Sequence, residues 1–156
     1  MSFTNIFEAA KKGTVEDVKY FIEKNGINVN EKGNEGNTPL HIAAASNSNV
    51  EVLKYLVSQG ADVNAKDIDG KTPLHWAASW NSNVEILKYL VSQGADVNAK
   101  ANDNETPLFY AVMKQKVESV RFLVVAGADV NEKIKYGLTL LDVADNNEVI
   151  IKCLSS

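Results

Sequence analysis

Two histidines, His41 and His75, are the residues most open to a chemical reading. Either could serve as a metal ligand or a general base. Zinc sites need several Cys or His ligands at short spacing. The single cysteine, Cys153, lies far away in sequence, so no ligand set forms around either histidine. Asp62, Asp96 and Asp129 recur together with Asn64, Asn98 and Asn131 and invite a metal or paired-carboxylate reading. If they sit on successive stacked helix pairs they stand roughly 8–10 Å apart, too far to share an ion. Gly60, Gly94 and Gly127 are isolated, one per segment, whereas a phosphate cradle needs several glycines within one turn. No Gly-x-x-x-x-Gly-Lys-Ser/Thr run and no Gly-x-Ser-x-Gly elbow occurs. No convergent catalytic, metal or cofactor-binding set emerges, and the chain reads as neither an enzyme nor a cofactor protein.

These residues recur because the elements that position them recur. Thr38-Pro39-Leu40-His41 returns as Thr72-Pro73-Leu74-His75, then as Thr106-Pro107-Leu108-Phe109 and Thr139-Leu140-Leu141-Asp142, at spacings of 34, 34 and 33 residues. Gly60-Ala61-Asp62-Val63-Asn64 runs in step, returning from Gly94 and from Gly127. Residues 49–66 and 83–100 differ only at Val52 against Ile86. A repeat of this period is one supersecondary unit that must stack to bury its apolar face.

Local chemistry predicts the unit. Thr38 is an N-cap and Pro39 suits the first helical position. A short helix follows through Leu40, Ile42, Ala43 and Ala44. Ser46 to Asn49 breaks it, and Asn49 caps a second helix carrying Val50, Leu53, Leu56 and Val57 at helical spacing. Gly60 is placed at the C′ position. A loop then runs to Asp69-Gly70, a turn signal.

The 156 residues suffice for one domain, and 45% apolar with 23% charged residues excludes disorder. A net charge of −4 with one arginine, Arg121, argues against a nucleic-acid surface. The stretch Met1 to Ala10 lacks the pattern of a secretory leader, and no apolar run approaches the roughly 18 residues of a membrane span. The lone cysteine fits a reducing compartment. The expected location is the cytoplasm, with the nucleus as the other option, and no membrane partner.

The chain resembles the ankyrin repeat family. The resemblance rests on Gly70-Lys71-Thr72-Pro73-Leu74-His75-Trp76-Ala77-Ala78, on Val84-Glu85-Ile86-Leu87 and on Gly94-Ala95-Asp96-Val97-Asn98-Ala99. It implies an all-α solenoid of stacked helix-turn-helix units joined by hairpin-like loops. It divides the single domain 1–156 into an N-terminal cap at about 4–33, repeats near 34–67, 68–101 and 102–134, and a C-terminal cap from about 135. Repeats two and three carry one extra residue between their helices. Repeat four has Phe109 for histidine and Asn104 for the turn glycine. The resemblance further implies that His41 and His75 hydrogen-bond within their own turn regions, and that the aspartates and asparagines shape the loop. Functionally it implies a scaffold that binds another protein through a concave face of loop tips and first helices, acting as adaptor or inhibitor. A small-ligand binder or a structural spacer is the alternative.

Candidate contact residues are those that diverge while the scaffold repeats. At the tips Glu35 and Asn37 correspond to Asp69 and Lys71, then to Asp103 and Glu105. Ile68, Asn102 and Tyr136 vary likewise, and an exposed large apolar group demands a reason. Trp80 closes a first helix where its counterparts are Ser46 and Lys114, and Met113 precedes Lys114. Tryptophan is enriched at interface hot spots. Two readings of Trp80 stand: a hot spot, or packing on Asn81 to Asn83. Trp76, matched by Ile42 and Tyr110, is expected to pack between repeats. Lys32, Lys66, Lys100 and Lys133 form a column read either as a basic strip or as a solvated position. A monomer is expected, with the apolar C-terminal segment (Val149, Ile150, Ile151, Leu154) leaving self-association open.

Overall fold

The computed structural model describes residues 3–156, so Met1 and Ser2, the first of the residues read for a leader, lie outside it. Among the described residues the fold is all-α, with ten α-helices and no named strand. The helices pair as α1 (Ile6–Lys12) with α2 (Val15–Lys19), α3 (Pro39–Ser46) with α4 (Val50–Ser58), and α5 (Pro73–Trp80) with α6 (Val84–Ser92). Then come α7 (Pro107–Met113) with α8 (Val117–Val125), and α9 (Leu140–Val143) with α10 (Glu148–Ser155). A π-turn, Tyr20–Lys24, prolongs α2. Contacts run α1–α3–α5–α7–α9 in one layer and α2–α4–α6–α8–α10 in the other, each helix meeting its neighbours in the stack.

The predicted caps form. Thr38 and Thr72 accept from the amides of His41 and His75, with proline at the first turn of each helix. Thr106 does the same for Phe109. Asn49 and Asn83 cap α4 and α6. Gly60, Gly94 and Gly127 follow the second helices with φ of +93°, +95° and +101°, a left-handed region that glycine enters without steric cost.

Between the layers lies one apolar core. Leu40, Leu74 and Leu108 are wholly buried, as are Leu53, Leu56, Leu87, Leu90 and Leu123. Val52 and Ile86 are buried too, while Val50 and Val57 are only half-buried, which turns α4 slightly from the orientation expected. The first helices approach through Ala43, Ala44, Ala77, Ala78 and Ala111, all fully buried. Small side chains permit that closeness, and dense packing leaves no room for longer ones.

The loops are four-residue turns in strict register. The amides of Gly33, Asp67, Ala101 and Ile134 donate to the carbonyls of Asn37, Lys71, Glu105 and Leu138 at 2.8–3.0 Å. Gly36, Gly70 and Gly137 take φ of +74°, +78° and +73° at the turn. Asn104 stands in the same place with φ +66°, because asparagine tolerates this region better than other side chains.

Candidate functional site

The two histidines hold the stack together. The Thr38 amide donates to His41 Nδ1 at 3.0 Å, so that nitrogen is an acceptor and the proton sits on Nε2. Nε2 then donates to the Lys71 carbonyl at 2.8 Å. His75 repeats the arrangement with Thr72 and with the Glu105 carbonyl at 2.9 Å. The expectation that each histidine bonds within its own turn is therefore half the pattern, since the second nitrogen reaches the next unit. Burial holds both imidazoles neutral, and His75 is depressed to about 4. Neither ring has a free nitrogen for a metal or a proton transfer.

The Asp-Asn motif also spans units. Asp62 accepts from the Asn64 amide at 3.0 Å and shapes its loop as expected. Asn64 in turn donates to the Gly94 carbonyl at 3.0 Å and accepts from the Asp96 amide at 2.8 Å. Asn30 reaches Gly60 and Asp62 in the same way, and Asn98 reaches Gly127 and Asp129. Among the described residues no three His, Cys, Asp or Glu side chains gather where a metal ion could bind.

The extra residue between helices in units two and three creates a buried bridge that the sequence alone does not reveal. Asn47 donates to the carbonyls of Ala10 and Gly13 at 3.0 and 3.1 Å and accepts from the Asn49 amide at 2.9 Å. Asn81 makes the matching set to Ala44, Asn47 and Asn83. Locally these asparagines read only as helix breakers. Their partners lie 34 and 37 residues away.

The candidate contact residues fall into two groups. Ile68, Trp80, Met113 and Tyr136 are exposed, at 69%, 62%, 40% and 88% of their surface. Most of the Trp80 ring is open to water, and it carries the Lys114 ammonium 4.1 Å from its centroid. Tyr136 holds a left-handed backbone, φ +65°, at the last tip. Glu35 and Asn37, with Phe7 and Ile42, line an open depression of about 500 Å³ between the first two units.

The second group is tied into the scaffold. Asn102 donates its amide to the Asp69 carbonyl at 2.9 Å and its side chain to Ile68 at 3.3 Å, linking adjacent tips. Glu105 accepts the Tyr110 hydroxyl. Burial and that carboxylate push the Tyr110 phenol well above its ordinary range. Asp103 lies 3.4 Å from Lys135, and Lys71 stands over the Tyr110 ring at 5.0 Å. In the lysine column all four residues are exposed, and Lys100 pairs with Glu132 at 2.9 Å.

One neighbour stands outside the sequence expectations. Asp67 is buried and accepts from the amides of Asp69 and Lys71 and from the Trp76 indole, each at 2.9 Å. Its counterparts are Gly33, Ala101 and Ile134, so its departure from the repeat was the available signal. Trp76 packs between units as expected, edge-on to His41 with centroids 5.6 Å apart.

The stacked helix pairs, the capped Thr-Pro-Leu-His turns and the hairpin tips define a repeat solenoid. A family model described as ankyrin repeats (3 copies) matches residues 6–101 and, overlapping it, 66–134. The chain belongs to the ankyrin repeat family. No curated protein matches it. Ankyrin repeats are in general protein–protein interaction modules, and proteins built from them are typically non-enzymatic scaffolds. No helix among the described residues is long and apolar enough to cross a membrane.

Proposed function

We propose that the chain binds another protein through the concave face made by its hairpin tips and first helices, as an adaptor or as an inhibitor that masks the partner's site. The observation that carries this reading is Trp80. A tryptophan left 62% exposed, at a position where the core is satisfied by Ser46 or Lys114, costs solubility and contributes little to folding. Ile68 and Tyr136 at the tips and Met113 at the end of a first helix are further large apolar side chains left exposed. The scaffold beneath is rigid and hydrogen-bonded throughout, so little ordering is needed on binding. Glu35, Asn37, Asp69, Asn102, Asp103 and Glu105 frame the surface as a polar rim. A monomer acting in the cytoplasm or nucleus completes the proposal.

The test is paired capture from lysate of the source organism. One bait is the wild-type chain, the other carries Trp80→Ala, Ile68→Ala and Asp103→Ala and is first shown to be folded by circular dichroism. A protein held by the first bait and lost by the second supports the reading. Equal capture by both baits places the interface elsewhere on the solenoid and refutes it.

A further inference from the structure

The second and third junctions between units are closed in the same way, and the first is left open. At the second junction Trp76 of α5 stands edge-on to His41, centroids 5.6 Å apart, and its indole donates to Asp67 at 2.9 Å. At the third, Tyr110 of α7 stands edge-on to His75, centroids 6.0 Å apart, and its hydroxyl donates to Glu105. In both, a flat ring covers a side chain of the preceding unit and gives its polar hydrogen to a tip carboxylate. The first junction departs from this arrangement. Phe7 takes the histidine place, since the buried Ile6 and Ala9 match the buried Leu40 and Ala43. Ile42 stands where the later junctions have Trp76 and Tyr110. Gly33 stands where the second junction has Asp67, and a Cβ there would lie 3.4 Å from the Phe7 ring.

What remains is the open depression of about 500 Å³ between the first two units. Phe7 and Ile42 line it half-buried, and Glu8 and Glu35 line it exposed. Glu8 is held in position. Its Oε2 accepts from the Thr4 amide at 3.0 Å and the Thr4 hydroxyl at 2.9 Å, while Oε1 accepts from no described residue. Glu35 is fixed through its backbone carbonyl, which accepts from the Ile68 amide at 2.9 Å. Among the described residues its carboxylate has no cation within 4.0 Å. No described Lys, Arg or His lines the depression. Lys12, one turn further along α1, acts on Glu8 but forms no ion pair with it. On the neighbouring tips and first helices Asp67, Asp69, Asp103 and Glu105 outnumber Lys71, Lys114 and Lys135.

We infer that the depression at the first junction receives an arginine side chain of the partner protein. The guanidinium lies against the Phe7 ring, the aliphatic stem packs on Ile42, and the N–H groups donate to Glu35 and to Glu8 Oε1. This rests on the proposed concave-face reading and adds one contact group of the partner to it. Arginine matches what the chain itself places at the later junctions, a flat group that donates to a tip carboxylate, and it adds the charge that two carboxylates call for. A cation is also drawn to an aromatic face, and its methylene stem is at home on an apolar surface. An acidic side chain would meet two like charges, and such juxtaposition opposes binding. An apolar one would leave both carboxylates unpaired.

The experiment is selection of a random-peptide phage library on the full chain, followed by titration of the leading synthetic peptide. The peptide is titrated against wild type, Glu35→Gln, Ile42→Trp and Trp80→Ala. Ile42→Trp fills the depression as Trp76 fills the next one, and Glu35→Gln carries the test if that variant fails to fold. Selected peptides are expected to share an arginine. Replacing that arginine by alanine, or Ile42 by Trp, is expected to weaken binding at least about tenfold, and Glu35→Gln about tenfold. Peptides without arginine, or peptides indifferent to both Ile42→Trp and Glu35→Gln, would overturn the inference. If such peptides still depend on Trp80, the concave-face reading stands without it. If they are indifferent to Trp80→Ala as well, both fall. Failure to enrich any peptide would count against the inference.

Discussion

At the residue scale the chain separates side chains that hold the fold from side chains left over. His75 belongs to the first kind. Its Nδ1 must accept from the Thr72 amide, so a proton there would replace an acceptor with a donor facing a donor. Its pKa falls from 6.5 to about 4 on folding, chiefly through burial, and His41 shifts the same way. The unfolded chain therefore binds protons that the folded chain refuses. Stability is full above about pH 6.5 and declines as pH falls toward 4, by up to about 3 kcal/mol for His75. Urea midpoints measured between pH 7.5 and 4.5 should fall steadily, and the fall should shrink in His75→Gln. Asn81 is of the same kind. Asn81→Ala strands the Ala44 and Asn47 carbonyls and the Asn83 amide, and should cost about 1–3 kcal/mol in chemical denaturation. Trp80 belongs to the second kind. Trp80→Ala should change stability by no more than about 0.5 kcal/mol, because most of its surface is already in water.

At the scale of elements, each helix pair is specified locally and completed by its neighbours. Ala77 and Ala78 let α5 sit against α3 and α7, and both are wholly buried. Ala77→Leu should overpack that contact and lower stability by about 1–3 kcal/mol, read as a shift of the thermal midpoint. In the third turn Asn104 occupies a φ of +66° where its counterparts are glycine. Asn104→Ala should destabilise by about 1 kcal/mol, whereas Asn104→Gly should be close to neutral. These elements were legible in the sequence because their signals are short-range: Thr-Pro at a helix start, glycine at its end, Asp-Gly at the turn. What was not legible depends on stacking. Asn47 and Asn81 read locally as breakers, and nothing in a Ser-Asn run tells which carbonyls lie across the interface. The Lys114–Trp80 contact joins residues 34 apart and depends on where two long side chains settle. Asn102 and Glu105 read as free tip residues because their divergence resembles that of a contact surface, yet both are bonded to the scaffold.

For the whole molecule, stability in a stacked array is a sum of unit and interface contributions, and the weakest interface opens first. The Asn ladder joins the first four units and, among the described residues, ends at the Asn98–Asp129 bond. The last unit has a four-residue first helix, with Leu141 52% exposed where Leu40, Leu74 and Leu108 are fully buried. In hydrogen exchange under mild denaturant, α9 and α10 should lose protection before α3 to α6. Simultaneous loss along the chain would show that the end unit is coupled as tightly as the middle. The binding account makes a demand at this scale too, because it places the partner on one side of the stack. Hydroxyl-radical footprinting of the chain with its captured partner reads that side directly. Trp80 and Met113 should be protected in the complex, while Tyr20 and Val125, exposed on the second-helix layer, should be oxidised as in the free chain. Protection of Tyr20 and Val125 with Trp80 and Met113 unchanged would contradict the account.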